Sequence, residues 1–533
     1  MSRTLLLGLD GMTFSVMNPL VETGVLPFFR RVFQEGARAE LLSTANPLTP
    51  PAWTTLMTGR GPGAHGVFDF MRFQEREEGP FGVLIFSHDV KCETIWSIAS
   101  RQDRRVICLN FPAMFPPKPI AGFLVPGYIT ARQLKTSVHP RSLYPRIKAL
   151  PGFDTKDVAW NMDESRKGVE GLPPDDYEKW IRYVMNKDNH WFQIARMLMT
   201  EEPWDLAAVL LDGVDRLQHL CWRFLDPMYA DDLATDWERR IRDLATEYFV
   251  RLDGLLAALV DAAGANTRVF LASDHGAGST TEIFYANAWL ASQGYLFWKE
   301  GTDVDREDGL SAPHILEFFR TIDWSRTKAY VRTASANGIY IRRRKHGPGG
   351  VADEEYPALR ARLVDELLKF RDPSTNDTVV KRAMVREEAF PGSSMEDAPD
   401  ITLFLRDGGF PSILPSADLV KPRKEVVGMH RPEGVFFALG PGIRRGGTLS
   451  PQGIANVAPT LLHSLGLPVP ADFEGKVIEE AFEPGALAAE PVRIGVPTLD
   501  PNATSEPAPE DANMTEEDEA KVVERLRQLG YID

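Results

Sequence analysis

Three apolar runs, each followed closely by an aspartate, constrain the fold of this chain more than any other feature. TLLLGL (residues 4–9) stops at Asp10-Gly11, LAAVLLD (206–212) leads into Gly213 and Asp215, and RVFLAS (268–273) ends at Asp274-His275-Gly276. Continuous apolarity over such a length marks a strand covered on both faces, the habit of parallel sheets with helices on either side. The carboxyl ends of those strands form the edge at which open α/β sheets bind ligands. Asp10, Asp215 and Asp274 are therefore expected to converge although they stand far apart in sequence. The expected fold class is α/β, a central mostly parallel sheet flanked by helices.

A second stretch, LLSTANPLTPPAWTTLMTGRGPGAHGVFDF (41–70), brings a nucleophile to the start of a helix. Pro50 and Pro51 suit a first helical turn, where a missing N–H costs little, and AWTTLMTG reads as a helix ended by Gly59. Thr49 then falls at or near the N-cap, where free backbone N–H groups and the helix dipole favour an oxyanion or a phosphate. Threonine is also an ordinary N-cap, so the local sequence allows a purely structural reading. The remainder of the chain tips the balance towards chemistry.

Catalytic zinc keeps three protein ligands drawn from His and carboxylate and leaves a fourth position open. Two such sets are present. Asp10, Asp274 and His275 make one, with its open position facing Thr49; Asp215, His219 and His430 make the other. Asp215 and His219 are four residues apart, which places both on one face of a helix, and His430 is expected in the loop before the strand VFFAL. Each residue alone has a plain structural reading, as a turn, a strand end or a surface pair. Together they suit two metals clamping the attacking and leaving oxygens of an in-line displacement at phosphorus. Arg60 can meet a phosphate or stay solvated. His65, in GPGAHG, reads first as a residue fixing the loop after the nucleophile helix and second as a contact to a metal-bound group.

A net charge of −15 argues against nucleic acid or an anionic membrane as the main partner. Cys92, Cys108 and Cys221 are too few and too scattered for a disulfide framework, which points to a reducing compartment. No stretch approaches the roughly 20 apolar residues that span a bilayer, so a cytoplasmic, membrane-free protein is expected. Residues 1–480 are expected to form the catalytic domain, with insertions at about 129–175 and at 280–425, the second a cap. The Pro, Ala and acidic composition of 481–514 reads as a disordered linker, and a capping box at Thr515 and Asp518 opens a terminal helix over 515–533. Nothing in the sequence specifies an oligomeric state.

LLLGLDGM, TPPAWTTLMTGRGPGAHGVFDF, DGVDRLQH, ASDHGAG and GMHRPEGVFFALGPG resemble the motif series of the alkaline phosphatase superfamily, most nearly its type I phosphodiesterase/nucleotide pyrophosphatase branch. The resemblance runs from residue 4 to about 480 and is weakest in the cap regions and tail. It implies an alkaline-phosphatase-like fold with cap insertions. It also implies that Asp10, Thr49, Asp274 and His275 surround one divalent metal while Asp215, His219 and His430 hold a second. Zinc is the usual metal of such proteins, and manganese serves in the related phosphoglycerate mutases. Phe70 stands where nucleotide pyrophosphatases carry an asparagine that contacts a phosphate oxygen, a departure that bears on diester specificity. The sulfatase branch is set aside because no CxPSR-type motif surrounds Thr49. The implied activity is hydrolysis of a small-molecule phosphate ester, diester or monoester, through a phosphothreonine at Thr49. The alternatives are a phosphomutase or phosphotransferase that passes the group to a second hydroxyl, and a non-catalytic protein whose metals bind a phosphorylated ligand.

Overall fold

The three apolar runs lie side by side in the middle of an eight-stranded sheet. In chain order the strands of interest are β1 (Arg3–Leu9), β2 (Ala37–Leu42), β3 (Val106–Leu109), β4 (Gly122–Val125), β5 (Leu206–Leu211), β6 (Thr267–Ala272), β7 (Val420–Arg431), β8 (Glu433–Leu439) and β9 (Gln452–Gly453). All but β7 belong to this sheet, in the order β9-β2-β8-β6-β1-β5-β3-β4. Strand β8 runs antiparallel to β2 and β6, and the other ladders are parallel. Leu9 of β1 pairs with Leu211 of β5, and Gly8 with Ala272 of β6, so the three strands end together at one edge.

The computed structural model describes residues 3–159, 172–230, 232–302 and 318–501. The chain divides into two compact units, the first comprising Met1–Val67, Phe86–Ser279 and Val426–Asp500, the second including Phe68–Ile85 and Thr280–Glu425.

In the first unit, helices α1 (Thr49–Thr58), α2 (Pro174–Glu201), α3 (Gly213–Leu225), α4 (Asp236–Ala263) and α5 (Val457–Ser464) flank the sheet. Successive strand residues point to opposite faces, and β1 divides its leucines accordingly. Leu5, Leu7 and Leu9 join Trp180 and Trp191 of α2 and Leu252 of α4 in one core. Leu6 joins Trp53 and Leu56 of α1 and Leu461 of α5 in the other. Each buried leucine contributes about 1.5–3 kcal/mol, which is why the runs carry no alternating polar residue. Gly8 sits among them for space: a Cβ there would lie 2.9 Å from the Trp53 ring, so its absence lets α1 close down on β1.

The second unit has its own four-stranded antiparallel sheet, formed by Ala329–Val331, Gly338–Ile341, Ile401–Leu405 and Val380–Val385, and a helix over Tyr356–Lys369. Trp289, Tyr330, Leu363 and Leu403 are in its core. Residues 280–425, expected as an insertion, thus fall in this unit together with 68–85, whereas 129–159 and 172–175 lie in the first.

One expectation shifts. The tail keeps regular structure past residue 481: Pro484–Ala489 is helical, and Ile494–Gly495 pairs with Val469–Pro470. Residues 484–495 thus hold regular structure where composition suggests a disordered linker, because Leu487 packs against the core and Ile494 pairs with Val469. Residues 502–514 and the expected 515–533 helix lie outside the described residues. Among the described residues, no helix is long and apolar enough to cross a membrane.

Candidate active site

Thr49 is the first residue of α1, with Leu48 as its extended N-cap residue and Gly59 ending the helix at φ 64°. The position, next to the N-cap, is the one expected of it. The two prolines also change what the helix start can donate. Pro50 and Pro51 have no N–H, and the Ala52 N–H donates to the Leu48 carbonyl, leaving the Thr49 N–H and the helix dipole as the features able to favour an anion. The Thr49 hydroxyl is buried and lies 3.5 Å from His275 Nε2.

His275 is the centre of the first ligand set. Its Nε2 lies 3.5 Å from Asp10 Oδ1 and 3.3 Å from Asp274 Oδ2. Donor atoms 2.0–2.2 Å from a tetrahedral zinc stand about 3.3–3.6 Å apart, so these separations, with that to Thr49, match the edges of one coordination tetrahedron. Each carboxylate has one oxygen already engaged. Asp274 Oδ1 accepts from the Gly11 N–H at 3.2 Å, and Asp10 Oδ2 accepts from the Tyr128 hydroxyl at 3.1 Å. Asp10 Oδ1 and Asp274 Oδ2, the two oxygens that face His275, are buried with no hydrogen-bond partner. Orphaned buried carboxylate oxygens are costly unless a cation meets them, and their chemistry fits a divalent metal.

The second set is equally tight. Asp215 Oδ1 lies 3.4 Å from His219 Nε2 and 3.3 Å from His430 Nε2, and the two imidazole nitrogens are 3.1 Å apart. Asp215 is not at a strand tip as expected. Asp212 occupies that place, and Asp215 sits in the first turn of α3, one helical turn before His219. Gly11, at φ 68°, makes room for it: a Cβ there would lie 2.9 Å from the Asp215 side chain. His430 is the penultimate residue of β7 rather than part of a loop, because the chain stays extended through Arg431 before β8. Asp215, His275 and His430 also have ligand atoms within 4.8 Å of one another, so the two sets abut.

All three histidines are oriented by main-chain carbonyls. His219 Nδ1–H donates to Gly428 at 2.6 Å, His430 Nδ1–H to Pro47 at 2.7 Å and His275 Nδ1–H to Gly276 at 3.0 Å. A carbonyl can only accept, so each ring carries its proton on Nδ1 and presents the Nε2 lone pair to the centre. This is how metal-ligating histidines are held.

The electrostatics agree with that geometry. Burial, then the repulsion of neighbouring carboxylates, pushes Asp10 and Asp274 well above the usual carboxylate range. Burial, then the neighbouring His430, pushes His275 well below its ordinary value, keeping it neutral. Burial alone would raise Asp215, yet His219 and His430 pull it well below the carboxylate range. A cation at the first set would offset the repulsion between its carboxylates.

Arg60 and His65 are not brought to this centre. Arg60 follows the far end of α1, which at 1.5 Å per residue is about 15 Å long, and His65 folds back against the middle of that helix. Arg60 pairs with Asp472 at 3.1 Å. His65 accepts from the Val67 N–H at Nδ1, so its Nε2–H donates to Thr55 Oγ1 at 3.0 Å and ties the loop to α1. Sequence reasoning passed over Tyr128, which follows β4 in VPGYIT; no spacing or composition signal marks a lone tyrosine in a loop.

The sequence profile of the type I phosphodiesterase/nucleotide pyrophosphatase family matches residues 4–430. No curated protein matches the chain as a relative. Among solved structures, murine ectonucleotide pyrophosphatase/phosphodiesterase 5 superposes with a TM-score of 0.50 at 13% identity, covering 90% of this chain and 100% of that one. Its inactive threonine-to-alanine variant, solved in complex with AMP, gives 0.50 at 14% identity, over 91% and 100% of the two chains. Wild-type alkaline phosphatase PafA gives 0.50 at 14%, over 91% and 99%. At these identities the likeness is one of fold, and it is the alkaline-phosphatase-like fold.

Proposed function

This chain belongs to the type I phosphodiesterase/nucleotide pyrophosphatase family and is a phosphoric ester hydrolase, and from that premise we propose that it cleaves a small-molecule phosphate ester through a covalent phosphothreonine at Thr49. The observation that carries the reading is the position of the Thr49 hydroxyl, 3.5 Å from the imidazole nitrogen that also faces the orphaned oxygens of Asp10 and Asp274. Those three residues would hold one divalent cation, and Asp215, His219 and His430 a second. Bound there, the two ions would lower the pKa of the Thr49 hydroxyl and neutralise charge on the transferring group. Zinc suits this mixed nitrogen and oxygen set, and manganese is compatible with it.

The chain's own part is mostly positioning, which is what phosphoryl transfer requires. Helix α1 holds the Thr49 oxygen against the centre. That oxygen forms the new bond to phosphorus as the bond to the leaving oxygen breaks, and the leaving alcohol takes up a proton. Water then displaces the threonine oxygen and restores Thr49. Two displacements in line give net retention of configuration at phosphorus.

Initial rates on an aryl phosphate diester and on the corresponding monoester test the proposal, with zinc-loaded protein and Thr49→Ala as the blank. Turnover that depends on Thr49 supports it, and the preferred substrate assigns a phosphodiesterase or a phosphatase. Equal turnover by the Thr49→Ala protein contradicts it.

A further inference from the structure

We propose that Tyr128 is a positioning residue that selects which oxygen of Asp10 is presented to the first metal and thereby sets the affinity of that site; the inference rests on the ligand sets proposed above. A carboxylate has two equivalent oxygens, and a ligand that can offer either, or both, is poorly preorganised. In the first set both carboxylates have had this equivalence removed. The Gly11 N–H takes Asp274 Oδ1, and the Tyr128 hydroxyl takes Asp10 Oδ2. What remains is one free oxygen from each, Asp10 Oδ1 and Asp274 Oδ2, and these are the two that face His275. The first anchor is main chain. The second is a side chain delivered from the loop after β4, at the edge of the sheet and three strands away from β1.

The loop is shaped to make that reach. Tyr128 has a φ of 56°, and the adjoining loop after β3 holds Asn110 at 69° and Ala113 at 56°, three left-handed residues without the freedom of glycine. Asn110 is fixed by its side-chain amide, which donates to the Leu210 carbonyl at 2.9 Å, and the Gly127 N–H donates to Phe111 at 3.0 Å. A Cβ on Gly127 would lie 2.1 Å from the Asn110 carbonyl oxygen, so the two loops are in close contact just before the tyrosine. Backbone held in sparsely populated conformations gathers at functional sites when the surrounding structure over-determines it. Here the phenol it delivers touches a proposed ligand. Partners of this kind fix ligand orientation, and their loss costs metal affinity on the order of 10–100-fold.

The test is a competition titration of the full chain, stripped of metal, with Zn2+ against a chromophoric chelator, comparing wild type with Tyr128→Phe. The substitution removes one oxygen from a half-buried side chain, and the melting temperature of the metal-free protein verifies folding. Tyr128→Met, of similar length and also lacking the donor, serves if the phenylalanine variant does not fold. The expected result is two binding equivalents in wild type, with one weakened roughly 10–100-fold in the variant and the other within about threefold. In an Asp10→Asn background, Tyr128→Phe is expected to have no further effect. Unchanged affinity at both sites, or equal weakening of both, would overturn the inference. A wild-type protein that binds no zinc would overturn the ligand assignment itself, a distinct outcome.

Discussion

His275 and His430 stack face to face with their ring centroids 3.7 Å apart. One imidazole belongs to the first candidate ligand set and the other to the second, so the two sets share a wall of two stacked rings whose planes are inclined by 23°. Two-metal sites hold their ions about 3.5–4 Å apart to serve both oxygens of an in-line displacement. The stacking also explains why neither ring can tilt independently, since each is tied through Nδ1 to a main-chain carbonyl. The consequence is a centre whose two halves are coupled through packing as well as charge.

Metal removal is expected to act on stability as well as on activity. A ligand that binds only the folded state at a hundredfold excess over its Kd stabilises by about 2.7 kcal/mol per site. Chelation should therefore lower the melting temperature and abolish turnover, and zinc should restore both. Calorimetry with and without chelator checks this, and an identical melting temperature in the two conditions would contradict it.

Thr49→Ala is expected to reduce turnover roughly a thousandfold or more, as removal of a nucleophile does. Metal affinity should fall far less, because Asp10, Asp274 and His275 remain. Steady-state rates and a zinc titration on the same preparation separate the two effects.

His65 has a depressed pKa, moved from 6.5 to about 3, chiefly by burial. The unfolded chain takes up a proton below pH 6.5 that the folded chain refuses. The folded state therefore loses stability as pH falls from about 7, by about 2 kcal/mol at pH 5, and gains nothing further above neutrality. His65→Gln should flatten the decline in melting temperature between pH 7.5 and 5. An unchanged slope would contradict the assignment.

Arg60→Ala is expected to leave kcat and KM within about twofold. Its pair with Asp472 is partly exposed, with side chains 27% and 26% accessible, so the cost in stability should stay below about 1 kcal/mol. A large rise in KM would show that Arg60 meets substrate after all.

Much of this architecture is legible in the sequence because its signals are strong and local. The continuous apolarity of β1, β5 and β6 fixes their place in the sheet, and the Pro-Pro start and Gly59 stop fix α1. The candidate ligand residues are legible because carboxylate and imidazole at strand ends have few other uses together. Asp215 and His430 shift in local setting without leaving the centre, since neither a one-turn change at the strand-to-helix junction before Asp215 nor a strand that stays extended through Arg431 is within what pattern can resolve. The hidden part is long-range: the carbonyls of Pro47 and Gly428 that orient histidines, and the Tyr128 hydroxyl on Asp10, depend on loop geometry that leaves no periodic trace.

The central claim is that phosphorus is attacked twice, first by Thr49 and then by water. The stereochemical course of hydrolysis tests it most directly, using whichever ester the zinc-loaded protein turns over, made chiral at phosphorus and cleaved in isotopically labelled water. Net retention of configuration, lost together with turnover in Thr49→Ala, is the predicted result. Net inversion would mean a single direct attack by water and would contradict a covalent phosphothreonine.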